Sequence, residues 1–337
     1  MKYKLLKFTI KLQFIIWSSI LLIGFNSCKT NKTSNEPLSD FAFKDTASIT
    51  KVRISDTENN EITISRKNED KQWRINDSEY LANTFNINLI LETFYRTIIK
   101  QDVPKDGVEH ILTMLSVRHK KVEIFTNEDS EPIKTWYVGS STKDHLGTYM
   151  LLQNKNQKSS VPFITYKPGF YGTLDVRFFT NWKDWRSHMV FNYPNSKHIK
   201  SINTIFNEFP NESYSIQNNK NSVSLFDKDS KQINSFDSIQ VKHYLTHFNN
   251  INYNLIVFKD SLYMDSIFNL TPHIEFKLTD IKSKNTYVKL WRIKNELSQT
   301  GWDKEYAYIK INDKFELLKV QFFNWDILFK PLSYFSK

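Results

Sequence analysis

The chain has 337 residues, of which 40% are hydrophobic and 24% charged, and its formal net charge is +10 at pH 7. This length suffices for two ordinary domains or one large one, and the composition favours a packed core over disorder. A single cysteine excludes intramolecular disulfides and cysteine-based zinc or iron–sulfur sites. The seven glycines include no phosphate-binding pattern, and 26 Phe, 16 Tyr and 8 Trp beside four Ala favour a sheet-rich fold.

The N-terminal segment has the features of a secretory leader. Four lysines lie within the first eleven residues, and an apolar run from Phe14 to Phe25 follows. The run is shorter than the roughly 20 apolar residues that a spanning helix needs. It ends at Ser27, directly before Cys28. This order predicts a lipoprotein signal peptide over residues 1–27, with Cys28 lipidated as the mature N-terminus. The alternative is an uncleaved N-terminal anchor with an incidental cysteine.

Acylation of Cys28 would attach the protein to a lipid bilayer in the cell envelope. Residues 28–40 are polar and predict a short tether. Basic Lys29 and Lys32 near the cysteine favour a periplasm-facing location and leave the choice between inner and outer membrane open. Removal of residues 1–27, which hold four Lys and no acidic residue, lowers the net charge from +10 to about +6. This excess favours solubility or weak attraction to anionic lipid or acidic polymer, and no Arg-rich block indicates a nucleic-acid partner.

The mature chain shows one order of elements twice. This predicts an α+β fold of two tandem repeats, residues 41–192 and 193–337, each an antiparallel sheet packed with helices. In the first repeat, apolar spacing predicts a helix from Thr84 to Lys100, and Asp106 with Glu109 predicts a capping box for a short helix. The strands predicted by alternation are Ile49–Ser55, Glu61–Arg66, Trp73–Ile75, Lys121–Phe125, Ile133–Gly139, Thr148–Gln153 and Phe163–Tyr166.

The second repeat has its boundary near Asn192–Lys197 and a helix that Asp237 caps. A short amphipathic helix is predicted around Met264 and Phe268. Residues Leu174–Trp185 and Leu318–Phe329 have the spacing of a closing helix in each repeat. The strands predicted here are Ser213–Ile216, Val223–Phe226, Gln232–Asn234, His273–Thr279, Thr286–Ile293, Glu305–Ile311 and Phe315–Leu317.

Aromatic residues recur at matching places in the two copies, Trp136 with Trp291 and Tyr149 with Tyr308. The alternative remains that any α+β chain can be divided into two similar halves.

Four stretches carry a resemblance to a known family: Phe41–Thr46, Asp144–Met150, Pro168–Gly172 and Asp184–Arg186. Together they resemble the Bacteroidetes lipoprotein branch of the domain-of-unknown-function 4340 family. The resemblance covers about residues 40–190 and continues more loosely beyond them. The family implies no activity. Its relatives often occur beside auxiliary parts of gliding-type ABC transporters, so the resemblance implies an accessory role in a membrane complex whose other members are separate proteins.

The residues that catalysis would need do not form a recognisable pattern. A nucleophile elbow needs GxSxG, and the nearest stretch, Val138–Thr142, predicts a turn after a strand. His243 and His247 are spaced to share a metal, but Tyr244 stands where a zinc protease needs its glutamate, and no third ligand is near. We therefore predict no catalytic, cofactor-binding or metal-binding residue, no cofactor, and no enzymatic activity.

The segment Gly169–Arg186 is dense in aromatic residues and arginine. Exposed, such residues stack on sugars or form protein interaction hot spots. Buried, they close the core, with Asp184 pairing Arg186 or Arg177. If the segment belongs to a functional surface, the residues to consider are Tyr149, Tyr171, Trp182, Trp185 and Arg186.

The sequence therefore favours a membrane-anchored cell-envelope lipoprotein that acts as a non-catalytic interaction or accessory module, with a membrane-complex protein as its partner. The first alternative is a module that binds a glycan or another envelope polymer, because of the aromatic and basic segment. The second is an unrecognised hydrolase, which would need a pocket with two convergent groups of perturbed pKa.

Overall fold

A computed structural model of the chain describes residues 37–67, 72–127, 130–155, 157–219 and 222–336. The predicted signal peptide, Cys28 and most of the predicted tether lie outside these residues. The described residues form twenty strands and six α-helices, with short 3-10 turns between them. All strand pairings with a determined register are antiparallel, which confirms the α+β class. Within the described part of the chain, no helix is long and apolar enough to cross a bilayer.

The helices are α1 (Thr84–Arg96), α2 (Val108–Val117), α3 (Trp182–Trp185), α4 (Ser238–Leu245), α5 (Ser261–Phe268) and α6 (Phe322–Trp325). The first ten strands are β1 (Ile49–Asp56), β2 (Glu61–Ser65), β3 (Arg74–Ile75), β4 (Ile98–Asp102), β5 (Lys120–Thr126), β6 (Lys134–Ser141), β7 (Thr148–Asn154), β8 (Gln157–Lys158), β9 (Phe163–Tyr166) and β10 (Met189–Phe191). The others are β11 (Ile199–Phe206), β12 (Tyr214–Asn219), β13 (Ser222–Asp227), β14 (Gln232–Ile233), β15 (Ile251–Asn252), β16 (Leu255–Ile256), β17 (Ile274–Asp280), β18 (Asn285–Lys294), β19 (Trp302–Ile311) and β20 (Leu318–Gln321).

The chain divides into two compact units. Unit 1 contains the described residues up to Glu61 together with Ile90–Thr180, and unit 2 contains Ile62–Leu89 together with the described residues from Asn181 onward. The division into repeats of 41–192 and 193–337 stays a prediction.

Unit 1 is built on a sheet whose strands lie in the order β1-β5-β6-β7-β9-β4. One face of the sheet carries the core, in which Phe94 and Phe178 pack edge-on against the buried Trp136. The other face is partly covered by α2, whose Ile111 and Leu115 pack with residues of β7 and β9. The sheet of unit 1 therefore has one fully buried face and one that is half covered.

Unit 2 holds the strand pair β2–β3, the pair β10–β15, and a larger sheet in the order β14-β13-β12-β11-β17-β18-β19-β20-β16. Helix α4 packs on one face of the larger sheet through Val241, Tyr244 and Leu245. On the opposite face lies α5, whose Phe268 contacts Trp291 of β18 with ring centroids 5.6 Å apart. We call this opposite face of β17–β20 the outer face.

Six strands in each unit follow the same spatial order. In unit 1 they are β1-β5-β6-β7-β9-β4, and in unit 2 they are β11-β17-β18-β19-β20-β16. If these six strands are numbered along the chain in each unit, both sheets have the spatial order 1-3-4-5-6-2. Tyr149 and Tyr308 both lie next to the helix that covers part of their sheet. Trp136 instead lies in the core, whereas Trp291 lies under α5, so this matched pair occupies opposite faces.

Most predicted strands are confirmed to within a few residues, but the prediction of a strand at Phe315–Leu317 is wrong, because β20 begins at Leu318. The helix predicted to reach Lys100 ends at Arg96, and Ile98–Asp102 forms β4, which pairs with β9. The β-branched Thr97, Ile98 and Ile99 favour extended backbone over a further helical turn. Strand β11, which lies between β12 and β17, was not predicted at all.

The predicted helix caps have opposite outcomes. Asp237 accepts hydrogen bonds from the backbone N–H groups of Ile239 and Gln240, each at 2.9 Å, which confirms the cap of α4. The capping box at Asp106 is wrong, because Gly107 precedes α2 and no side chain caps its first turn.

The two closing helices are also shorter than predicted. Helices α3 and α6 have four residues each, and Leu318 lies in β20. The predicted turn at Val138–Thr142 is largely strand, because β6 continues to Ser141.

Candidate functional site

The five residues named from the sequence as a possible surface are divided between the two units. In unit 1, Tyr171 is 91% exposed and Tyr149 is half-buried beside α2. In unit 2, Trp182 is half-buried, whereas Trp185 is fully buried and belongs to the core. Arg186 is also buried, at 6% exposure. Cys28 lies outside the described residues.

Arg186 is held by a buried ion pair within unit 2. Its Nη1 and Nη2 donate to the two carboxylate oxygens of Glu316 at 2.8 and 2.7 Å. Tyr80 donates its hydroxyl to Glu316 at 2.7 Å and places its ring 4.0 Å from the Arg186 guanidinium. Trp182 stacks on Tyr80 with centroids 6.1 Å apart. The sequence suggested Asp184 as the partner of Arg186 or Arg177. Asp184 is exposed, and Arg186 pairs with Glu316 instead.

The charges of this cluster largely cancel. Burial alone would raise the pKa of Glu316, but hydrogen bonds from Arg186 and Tyr80 outweigh burial and hold that pKa below its usual value. The adjoining cavity of about 220 Å³ is lined in part by Tyr253, Lys284 and these residues. Arg186 donates from two of its nitrogens to Glu316, so its charge is already paired. The cluster therefore stabilises the fold of unit 2 and does not offer a free cation to a ligand.

A larger cavity, of about 430 Å³, lies in unit 1 and is lined by Asp56, His119 and Tyr149 among others. Two of its titratable groups, Asp56 and His119, are engaged in structural hydrogen bonds. Asp56 accepts from Lys120 and Thr180, both at 3.0 Å. The His119 ring nitrogen Nδ1 lies 2.7 Å from the carbonyl of Leu115, and burial lowers the pKa of His119. Hydrolytic chemistry would need a free base beside a nucleophile, and neither Asp56 nor His119 is free to act as one. Asp175 also lines the cavity, and its buried carboxylate oxygen Oδ1 has no hydrogen-bond partner in the described part of the chain.

One serine and one histidine do approach each other. Ser141 Oγ lies 3.3 Å from His145 Nδ1, on the surface of unit 1. The neighbouring Asp144 points its carboxylate to Thr142 Oγ1 and to the backbone N–H of Leu146 rather than to the imidazole. The contact is therefore part of a tight turn between β6 and β7 and lacks the third group that orients a catalytic histidine.

His243 and His247 lie on and just after α4, with ring centroids 4.7 Å apart. Burial lowers the pKa of His247. The described residues hold no group of three or more His, Cys, Asp or Glu side chains that could bind a metal.

The outer face of the unit 2 sheet presents a row of lysines that the sequence reasoning missed. Lys277, Lys289, Lys310 and Lys319 lie one each on β17, β18, β19 and β20. Lys289 is directly opposite Lys310 in the ladder. We call these four residues the lysine row.

Alternation shows that the lysine row shares one face with aromatic residues. Lys277 is opposite Tyr287, which lies two residues before Lys289, and Lys319 is opposite Tyr308, two residues before Lys310. Residues two apart in a strand point to the same side of a sheet. All four lysines are therefore on the face that α5 also occupies, since Tyr263 of α5 lies 3.2 Å from the Tyr308 hydroxyl.

Aromatic rings fix the positions of three of these ammonium groups. Lys310 Nζ lies 4.5 Å from the ring centroid of Phe268, and Lys319 Nζ lies 4.1 Å from that of Tyr306. Lys277 Nζ lies 5.1 Å from the centroid of Tyr287. These cation–π contacts hold the charges in place without neutralising them.

Carboxylates are scarce at the lysine row. Glu275, 4.0 Å from Lys289, is the one carboxylate within ion-pair distance of the row among the described residues. The half-covered face of unit 1 differs, because there Glu123 is buried and pairs with Arg53 at 2.7 Å and Lys121 at 2.8 Å. The lysine row therefore carries an excess of positive charge that local pairing does not cancel.

The sequence contains the signal for the lysine row. Tyr287, Lys289 and Trp291 alternate on one strand, and Tyr306, Tyr308 and Lys310 alternate on the next. Alternation reveals which residues share a face. It does not reveal which strands are neighbours, and the row exists because β17–β20 are adjacent.

Comparison with known proteins supplies no further assignment: no family model, no curated protein and no solved structure matches this chain. The resemblance to the domain-of-unknown-function 4340 family stays a prediction.

Proposed function

We propose that the chain is a membrane-anchored lipoprotein of the cell envelope, facing the periplasm, whose folded region is a non-catalytic interaction module. The leader and Cys28 support the anchor. The observation that carries the interaction role is the lysine row, a positively charged and partly exposed set of side chains, three of which are held by aromatic rings. A protein of a membrane complex is one partner for such a face, as implied by the resemblance to a family whose members often occur beside auxiliary parts of gliding-type ABC transporters.

Labelling of Cys28 tests the anchor. The full chain is expressed in its host with an alkyne fatty acid, and membranes are separated from the periplasmic fraction. We expect the wild type and the control Asn31→Ser to be labelled and membrane-bound, and Cys28→Ser to be unlabelled. Mass spectrometry of the wild type that finds the initiator methionine or an unmodified Cys28 thiol would contradict the proposal.

A partner protein is tested separately. Crosslinking in intact cells, followed by capture of the full chain from membranes, should recover the same protein in replicate experiments. The variant Lys289→Glu should lose that protein, whereas Lys242→Glu, on the exposed side of α4, should keep it. Recovery by both variants alike would place the interaction elsewhere on the chain.

We also infer that residues 41–192 and 193–337 are copies of one duplicated module. The shared spatial order of six strands supports this inference, as do the matching positions of Tyr149 and Tyr308. The opposite placement of Trp136 and Trp291 shows that matching aromatic residues alone are a weak guide. An experimental structure in which the two strand orders differ would refute the duplication.

A second candidate function is binding of an envelope polymer. The lysine row favours it, because positive charges beside aromatic residues suit an acidic polymer. The sequence suggested this hypothesis through the aromatic and basic segment Gly169–Arg186. Two of its residues do not supply the surface, since Trp185 is buried and Trp182 packs against Tyr80.

A further inference from the structure

The four charges of the lysine row form a line across the sheet. They occupy four consecutive strands, and neighbouring strands lie about 4.8 Å apart, so the row spans about 14 Å across the strand direction. Lys289 and Lys310 are direct neighbours, and Lys277 and Lys319 continue the line by diagonal steps on either side. A line of like charges matches a ligand that repeats its own charges along an extended chain.

Neighbouring like charges lower the stability of the sheet, which indicates that the lysine row has a function other than packing. Lys289 and Lys310 are opposite each other, and like charges directly opposite in a ladder destabilise a sheet. Within the described residues, Lys277, Lys310 and Lys319 have no carboxylate within ion-pair distance, and Lys289 has Glu275 at 4.0 Å. A bound polyanion would remove this repulsion.

Helix α5 rises above part of the outer face, so this face is not flat. Phe268 packs against Trp291, and the hydroxyl of Tyr263 lies beside that of Tyr308, so both contacts hold the helix on the sheet. Lys310 lies next to the helix, against the ring of Phe268. A helix with its side chains is about 10 Å thick, so α5 stands above the lysine row. Because α5 is in the way, a flat bilayer surface cannot contact all four lysines at once, whereas a flexible linear polymer can lie along the lysine row.

The aromatic residue at the open end of the row indicates the chemistry of the polymer. Tyr287 is 45% exposed and lies beside Lys277 and Lys289 in the ladder. Its ring offers an apolar surface on which a sugar ring can pack, while ammonium groups bind carboxylates. A polymer of phosphates alone has no apolar surface to pack on the exposed part of this ring.

From these observations we propose that the lysine row binds a linear acidic polysaccharide of the uronic-acid type, with Lys277, Lys289 and Lys310 contacting carboxylates and Tyr287 contacting a sugar ring. This inference rests on the proposed interaction function and specifies its ligand.

The test uses the full chain reconstituted in phosphatidylcholine liposomes, with fluorescent polygalacturonate as the probe. The triple variant Lys277→Gln/Lys289→Gln/Lys310→Gln should bind polygalacturonate about tenfold more weakly than the wild type. The control Lys228→Gln/Lys242→Gln/Lys282→Gln removes the same charge from exposed positions in a turn, on α4 and in another turn, and should bind as the wild type does. The variant Tyr287→Ser should also bind more weakly, and the wild type should not bind neutral dextran.

Three outcomes would overturn the proposal: no binding of polygalacturonate, equal weakening in both triple variants, or binding of vesicles with equal parts phosphatidylglycerol and phosphatidylcholine in preference to polygalacturonate. Urea unfolding of each variant checks that the fold is retained. An acylated chain and one that keeps its apolar leader both insert into the liposomes, so a failure of Cys28 acylation is seen in the labelling experiment and not here.

Discussion

The guanidinium of Arg186 and the carboxylate of Glu316 meet in two parallel hydrogen bonds of 2.8 and 2.7 Å, with side-chain exposures of 7% and 19%. The two residues are 130 positions apart in the chain, so their pairing depends on the completed fold of unit 2. A pair this buried is sensitive to the loss of one partner, because the remaining charge keeps its desolvation cost and loses its counter-charge.

Removal of one partner should therefore destabilise the protein strongly. We expect Arg186→Met to lower the free energy of unfolding by about 3 kcal/mol, and the double variant Arg186→Met/Glu316→Leu to recover part of that loss. Urea unfolding of the full chain, followed by tryptophan fluorescence, measures both. The exposed pair Lys330–Asp326 is the matched control, and Asp326→Asn should cost less than about 1 kcal/mol. A double variant that is less stable than Arg186→Met would show that the aromatic neighbours, not the unpaired charge, cause the loss.

Acid should weaken the contribution of Glu316 to stability. Because the folded-state pKa of Glu316 lies below its usual value, its stabilisation is complete above the ordinary glutamate pKa of about 4.3 and is lost as the pH falls through the folded-state pKa. The difference in unfolding free energy between wild type and Glu316→Gln should thus be constant from about pH 6 to 8 and shrink below about pH 4. Unfolding curves at a series of pH values give this difference. If it is unchanged at pH 3, the carboxylate is not the stabilising group.

Two tyrosines form a buried hydrogen-bonded chain in the core of unit 2. Tyr214 donates to the hydroxyl of Tyr244 at 3.1 Å, and Tyr244 donates to the carbonyl of Leu328 at 2.7 Å. Tyr244→Phe leaves two buried polar groups without this partner, so we expect a loss of about 2 kcal/mol in unfolding free energy. Tyr171→Phe changes a residue that is 91% exposed and should have almost no effect. Equal stabilities of the two variants in urea would mean that buried water replaces the lost hydroxyl.

Helix α2 packs closely on β6 at Gly139. A Cβ atom there would lie 2.6 Å from Leu115 Cδ2 and 3.1 Å from the carbonyl oxygen of Tyr149. We expect Gly139→Ala to lower the free energy of unfolding by about 2 kcal/mol through overpacking. Gly107→Ala is the control, since its added methyl group would meet Val103 at an ordinary 3.7 Å. A stability like that of the wild type would indicate that Leu115 moves aside without cost.

The sequence predicts local structure well where periodicity is regular. The cap at Asp237 and the buried face of α4 are confirmed, because both depend on residues within a few positions of one another. Strand β11 was missed for a local reason. A register shift between Ile199 and Ser201 brings Ile199 and Ile202 to the same core, which interrupts the alternation that marks a strand.

The candidate sites were predictable only in part. Trp185 and Arg186 were recognised as notable residues, but the partner of Arg186 is Glu316, and no spacing rule connects positions so distant. The lysine row requires the order of β17–β20 in the sheet, which alternation within each strand does not provide.

The large sheet of unit 2 ends on both sides in a strand of only two residues, β14 and β16. A long open strand would offer unpaired N–H and C=O groups to another copy and so invite polymerisation by strand addition. Edge strands of two residues leave few unpaired backbone groups for strand addition. Many copies could therefore crowd together at high local density without fusing their sheets into fibrils.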